Sequence, residues 1–175
     1  MRKVIYESVM THLLDMYKTV DGIPRVLYGP EERELYRDAP SVIKHVDLWN
    51  NNVEFIEQDE VWDRPAVFIE FGKIEWKKNK GSGERYCDSS LILHVVTDWK
   101  GSASSNSVVR EDSLEAFDLL DDIHKLLEGF KGGDPIVDGF EKMTLMESGT
   151  NHNHEDLIEN IEVYGYKGWT TILPR

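Results

Sequence analysis

From Val4 to Val20 the apolar residues Val4, Ile5, Val9, Leu13, Met16, Tyr17 and Val20 recur at spacings of three and four. That period places them on one stripe of an α-helix, and a helix is predicted over 4–20. Asp21-Gly22 reads as its stop, because glycine takes a left-handed cap without steric penalty, and Pro24 lies just beyond. The stretch 23–39 has no clear period, and its Gly29-Pro30 followed by Glu31-Glu32-Arg33-Glu34 reads as a surface loop. Past Pro40 the pattern shortens: Val42, Ile43, Val46, Leu48 and Trp49 precede Asn50-Asn51-Asn52, an extended piece before a turn. Residues 54–63 hold five acids (Glu54, Glu57, Asp59, Glu60, Asp63) and no base. They read as a solvated connection that Arg64-Pro65 closes.

Pro65 opens the run Ala66-Val67-Phe68-Ile69-Glu70-Phe71, rich in β-branched and aromatic residues, which predicts a central strand continuing to about Trp76. A second strand is predicted over 85–97. Its alternation puts Cys87, Leu91, Leu93 and Val95 on one face and Ile92, His94 and Val96 on the other. Joined through 77–83, the pair forms a hairpin. Strands of roughly ten residues extend about 30 Å, enough to project beyond a body of this size. After the flexible tract Gly101-Ser102-Ala103-Ser104-Ser105-Asn106-Ser107, a second helix starts at Ser113 with Leu114, Phe117, Leu120, Ile123 and Leu127 on one side. Asp112 is its predicted N-cap, with Glu115 three residues on as in a capping box, and acids in its first turns suit the helix dipole. Lys125 and Gly129 close it, and Gly132-Gly133-Asp134-Pro135 breaks the chain. Two further strands, 140–146 and 159–172, flank a polar loop at Asn151-His152-Asn153-His154. The element order predicts an α+β fold: an antiparallel β-sheet with a long hairpin packed against two helices, in a single domain spanning 1–175 with an irregular insertion at 23–64.

Composition narrows the class. A chain of 175 residues buries roughly 70% of its unfolded surface, enough for a core without disulfide or metal staples. With 40% hydrophobic and 30% charged residues it has the make-up of a folded soluble protein. The net charge is −13, from 33 acids against 20 bases, which argues against a protein whose main task is gripping nucleic acid. Glu7, His12 and Asp15 interrupt any signal-like apolar stretch near the start, and no apolar run approaches the roughly 20 residues that span a bilayer. A lone cysteine, Cys87, forms no intrachain disulfide and fits a reducing compartment.

Catalytic signals are sparse. His152, His154, Glu155 and Asp156 bring imidazoles and carboxylates together as a metal site would, and support an alternative reading as a metal-dependent hydrolase or nuclease. The same residues more commonly make an ordinary solvated loop, so no metal, cofactor or catalytic residue is assigned. There is no Gly-x-Ser-x-Gly elbow, and Gly81-Ser82-Gly83 lacks the helix and lysine of a phosphate loop. Cys87 reads as a small core side chain and His94 as a satisfied sheet histidine. One charge feature stands apart: Lys73, Lys77, Lys78, Lys80 and Arg85 gather five of the 20 bases at one hairpin tip. Lysines there protect a strand edge, or form a positive arm that docks on an acidic neighbour.

The helix 4–20, the Pro-led strand in Trp62-Asp63-Arg64-Pro65-Ala66-Val67-Phe68-Ile69-Glu70-Phe71, the Leu91-Ile92-Leu93-His94-Val95-Val96 strand, the helix 113–127 and the closing Ile161-Glu162-Val163-Tyr164-Gly165-Tyr166 strand resemble the tail-completion or tail-terminator proteins of long-tailed bacteriophages. Val46-Asp47-Leu48-Trp49-Asn50-Asn51 is similar to versions carried by prophages. The resemblance covers nearly the whole chain in element order and short strings. It implies an α+β fold without enzymatic residues, and a ring, hexameric in that family, that caps the tail tube, stops its polymerisation and offers a joining surface to the head-tail connector proteins. On that reading the partners are further copies of the chain and tail-tube protein, with no membrane and no sequence-specific nucleic acid. The protein is then assembled in the bacterial host cytoplasm and resides in the virion. The basic hairpin becomes an inter-subunit or tube contact, and an acidic lumen lets DNA pass without sticking. The insertion at 23–39 is longer than in the smallest members.

Overall fold

The structure, a computed structural model, describes residues 1–53, 62–79, 83–151 and 156–171. The chain opens with helix α1, Arg2–Met16, whose buried residues Ile5, Val9, Leu13 and Met16 are the predicted stripe. The helix ends at Met16, four residues earlier than the spacing predicts. Tyr17–Val20 is instead strand β1, paired antiparallel with β2, Ile23–Val26, from Tyr17↔Val26 to Val20↔Ile23. The physical reason lies at Asp21-Gly22, both at positive φ (53° and 77°). Two successive residues of that kind make the tight hairpin turn whose twist matches its strands, so the dipeptide reverses a hairpin where a helix cap was expected.

Between 27 and 53 the chain is more regular than its composition predicts. Pro30–Leu35 forms the short helix α2, with Pro30 in the first turn and Glu31 and Glu32 at its positive end, where a loop was expected. His45–Leu48 is β3, and it pairs in parallel with β4, Ala66–Phe71, from His45↔Ala66 to Leu48↔Ile69. The acidic connection at 54–61 lies outside the described residues.

β4 ends at Phe71 and does not reach Trp76. A Cβ at Gly72 would lie 2.2 Å from the Ser90 Oγ, so the chain crosses its neighbour there by having no side chain. Beyond it only Lys77–Lys78, β5, pairs again with the next strand. That strand, β6, runs from Glu84 to Asp98 and has the predicted alternation: Cys87, Leu91, Leu93 and Val95 enter the main core, while His94 and Val96 are buried on the opposite face. It is not half of a free projecting arm. All fifteen of its residues pair with β9, Leu157–Thr171, from Glu84↔Thr171 to Asp98↔Leu157. β8, Asp138–Asn151, flanks β9 antiparallel, so both predicted C-terminal strands form and exceed their expected lengths.

Helix α3 spans Arg110–Leu127 and starts before the expected Ser113. Val109 holds the N-cap position and Asp112 sits inside the first turn, contrary to the expected capping box. The Ser113 hydroxyl donates to the carbonyls of Val109 and Gly101, tying the helix start to the preceding loop. The buried face is Leu119, Leu120, Ile123, Leu126 and Leu127, and Phe117, assigned to that face by spacing, is 58% exposed. Gly129, at φ 74°, ends the helix as expected. Gly132–Asp134 is the edge strand β7 where a chain break was predicted. A Cβ at Gly133 would sit 2.4 Å from the Gly139 Cα, so glycine is what lets this segment approach β8.

The sheet order is β3-β4-β6-β9-β8-β7, with β5 on β6. Both long helices cover one face, where Ile5, Val9, Leu13, Ile123 and Leu127 meet Leu91, Leu93, Phe140 and Tyr164. The other face carries a smaller cluster of Val53, Ala66, Phe68, Val96 and Leu157 beneath Trp49 and Trp62. The fold is the expected α+β arrangement, with a mostly antiparallel sheet. None of the described helices is long and apolar enough to cross a membrane.

This packing fixes the phase of both helices. Leu13→Ala, at a fully buried position, is expected to lose about 2–5 kcal/mol in urea denaturation. Phe117→Ala is expected to change stability by less than about 0.5 kcal/mol. The reverse order would return α3 to the face that its spacing predicts.

Candidate functional site

Of the predicted basic cluster, Lys77, Lys78 and Arg85 meet at the start of β6, where Lys77 lies opposite Tyr86 and Lys78 opposite Arg85. Its charge is partly spent locally. The Lys77 Nζ lies 3.1 Å from Asp88 and the Lys73 Nζ 2.6 Å from Glu75. Lys78 and Arg85 have no ion-pair partner among the described residues, and Lys80 lies outside them. Arg2 of α1 joins this end, its guanidinium 6.0 Å from the centre of the Phe71 ring. Arg2, Arg85, Ile74, Trp76 and Thr170 line a shallow hollow of about 510 Å³. Beside it the Tyr86 hydroxyl donates to the Glu84 carboxylate at 2.8 Å, an interaction that pushes the phenol up from its ordinary range.

At the other end of β6 a cleft of about 510 Å³ opens between the first half of α3, the β1–β2 hairpin and the ends of β6 and β9. Asp112, Glu115, Asp118 and Asp122 line it from α3. Their spacings of three, three and four place all four on one stripe of that helix. Asp98 adds a fifth carboxylate at the end of β6 and is held by Arg64 at 2.5 Å. Lys125 pairs with Asp122 at 2.7 Å. Tyr17 closes the floor, where burial and the Asp122 carboxylate push its phenol far above the usual range. The Thr97 Oγ1, in the cleft wall, is buried and has no hydrogen-bond partner among the described residues.

The opposite face of the sheet holds a buried polar unit centred on His94. Its Nδ1 lies 2.6 Å from Glu159 Oε1 and its Nε2 3.1 Å from Glu70 Oε2, so each ring nitrogen has an acceptor. Trp49 stacks on the imidazole at a ring separation of 3.7 Å and an interplanar angle of 2°. The reading of His94 as a satisfied sheet histidine holds, and the arrangement clamps the Trp49 segment to the sheet. A second unit joins α3 to the sheet, with the His124 Nε2 3.0 Å from Glu162 Oε2 and the Ser148 hydroxyl donating to the same carboxylate oxygen. Serine and histidine there address one oxygen and do not form a serine-to-histidine relay.

Cys87 is buried, 3.9 Å from the Met1 sulfur, and burial pushes its thiol up from its ordinary value, as befits a core side chain. His152, His154 and Glu155 lie outside the described residues. Asp156 accepts the Trp99 N–H through its backbone carbonyl at 3.0 Å. Among the described residues no group of three or more side chains is placed to hold a metal ion. Sequence reasoning missed the acidic stripe, Arg2, Trp49, Glu70 and Glu159. Only the stripe left a signal, in its helical spacing.

The His94 unit is expected to matter for stability according to burial. Glu159, 2% exposed, is expected to cost roughly 3–5 kcal/mol on change to alanine, because a buried ring nitrogen loses its acceptor. Glu70, 43% exposed, is expected to cost less than about 1 kcal/mol. Urea melts of the two variants check the ranking.

Set against protein-family models and curated proteins, the chain matches none.

Proposed function

We propose that the chain is a structural assembly protein of bacteriophage or prophage, a tail terminator or close relative. It works as a closed ring on the end of the tail tube and presents a surface to the head. The observation that carries this reading is charge segregation along one rigid element. Lys78 and Arg85, without ion-pair partners among the described residues, lie where β6 starts and carboxylates where it ends, in a chain of net charge −13. Complementary ends on one body favour head-to-tail contacts, and such contacts close into rings when the rotation between copies permits. Opposed potentials also raise the encounter rate and select the register. The resemblance in element order supports the same reading and supplies the tube and the head as neighbours.

Two parts of the molecule have defined work in this account. The basic end supplies an inter-subunit or tube contact through Lys78 and Arg85, with Lys73 and Lys77 beside them; Lys80 of the predicted cluster lies outside the described residues. The remaining acids leave a ring surface that repels DNA phosphates, so DNA passes without adhering.

Light scattering after size exclusion is expected to show a ring of about six copies, or a monomer that closes into rings when tail-tube protein is added. A monomer that ignores tube protein would contradict the proposal.

A further inference from the structure

The cleft beside α3 has features that its place in the fold does not require. Acids in the first turn of a helix are stabilised by its dipole, but that effect fades within the turn. Glu111 and Asp112 fall inside it, whereas Asp118 and Asp122 lie well beyond. Like charges three and four residues apart repel one another, so the stripe from Asp112 to Asp122 works against the helix that bears it. Its cations in the cleft are Arg64, already engaged by Asp98, and Lys100. In the same wall the Thr97 hydroxyl, 8% exposed as a residue, is buried without a hydrogen-bond partner among the described residues, as are the Tyr164 and Tyr166 hydroxyls, which do not line the cleft. Native structures rarely leave such a group unmatched. Carboxylates around a buried hydroxyl acceptor form a receptor for a group that brings both N–H donors and positive charge. An anion or a phosphate backbone is repelled there. A metal ion lacks a set of three ligands among the described residues.

We infer that this cleft receives the basic end of a second copy of the chain, with Lys78 and Arg85 of one copy seated against Asp118, Glu115 and Thr97 of the next. Within one molecule the two surfaces cannot meet. Arg85 and Asp98 lie at opposite ends of β6, roughly 40 Å apart at the rise of an extended strand. Lys78 and Arg85 are exposed or half-exposed and lack ion-pair partners among the described residues, while the cleft has more carboxylates than bases. Each surface thus carries an excess of one charge, positive at the start of β6 and negative in the cleft. The contact joins two different patches, so it propagates head to tail and either closes or forms an open chain. This pairing deepens the ring reading and rests on it for the identity of the occupant.

The test uses full-length chains with reversed charges. One variant carries Glu115→Lys and Asp118→Lys, the other Lys78→Glu and Arg85→Glu. Circular dichroism checks that both remain folded, which is expected because Glu115 and Asp118 are exposed. In native mass spectrometry and light scattering at low salt each variant alone is expected to be monomeric. An equimolar mixture is expected to recover the wild-type oligomer, since each reversed patch then meets its complement. Wild-type rings that persist in either variant, or a mixture that stays monomeric while wild type assembles, would overturn the pairing and leave the ring reading standing. Rescue into open chains in place of rings would keep the pairing and overturn the ring. A wild-type chain that remains monomeric at low salt while spermidine binds its cleft would assign the site to a small free cation and overturn the pairing.

Discussion

The structure depends on the fifteen-residue ladder between β6 and β9. Every residue from Glu84 to Asp98 is paired with one from Thr171 to Leu157, and the other strands of the main sheet attach to this ribbon directly or through a neighbour. β4 pairs only with the second half of β6, from Leu91 to Val96, and β5 with Arg85 and Tyr86. β8 follows β9 along its length with two register irregularities, and both long helices pack on one face of the result. Because side chains alternate along a strand, a one-residue slip would turn Leu91, Leu93 and Val95 away from the helices and expose the whole core. The hydrophobic core therefore fixes the register, and the register sets the separation of the molecule's two charged ends.

Burial on both faces of the ribbon brings polar groups inside, and two histidine–carboxylate units are matched there across the sheet or by a helix. His94 is held between Glu159 and Glu70, and Glu162 takes hydrogen bonds from α3 and β8. Such pairs add little net stability, since desolvation offsets most of the attraction, but they are costly to break on one side. They specify which segment covers which face. Trp49 lies flat on His94, and through it the short parallel pair of β3 and β4 closes over the smaller core. Among the described residues the hydroxyls of Thr97, Tyr164 and Tyr166 are buried without a hydrogen-bond partner, and of these Thr97 lines the cleft.

Local signals in the chain gave a good account of what one face of one element decides. The buried stripe of α1 was legible because Ile5, Val9, Leu13 and Met16 face the sheet at helical spacing. The alternation of β6 was legible because its helix-facing side is uniformly apolar. What escaped was decided elsewhere. Tyr17 and Val20 continue the helical spacing by coincidence, and only their pairing with Val26 and Ile23 makes them a strand. The phase of α3 turned on which neighbours it meets, so Phe117 was indistinguishable by spacing from Ile123. β3 joins β4 in parallel across the connection between them, a contact that no local pattern announces. At the candidate surfaces, the basic residues were visible as a cluster in sequence. Glu159 stands 65 residues from His94, and the acidic stripe of α3 looked like ordinary dipole compensation until the cleft beside it was seen.

The two charged surfaces lie at opposite ends of one long ribbon, and native-state hydrogen exchange measures its stiffness directly. Amides of β6 and β9 that bond within the ladder, including those near Arg85 and Thr170, are expected to exchange only through global unfolding. Their exchange free energies should then equal the stability measured by denaturant. Fast local exchange over 84–88 and 167–171, with protection confined to 91–98, would contradict the account, because the basic end would then fray independently of the cleft.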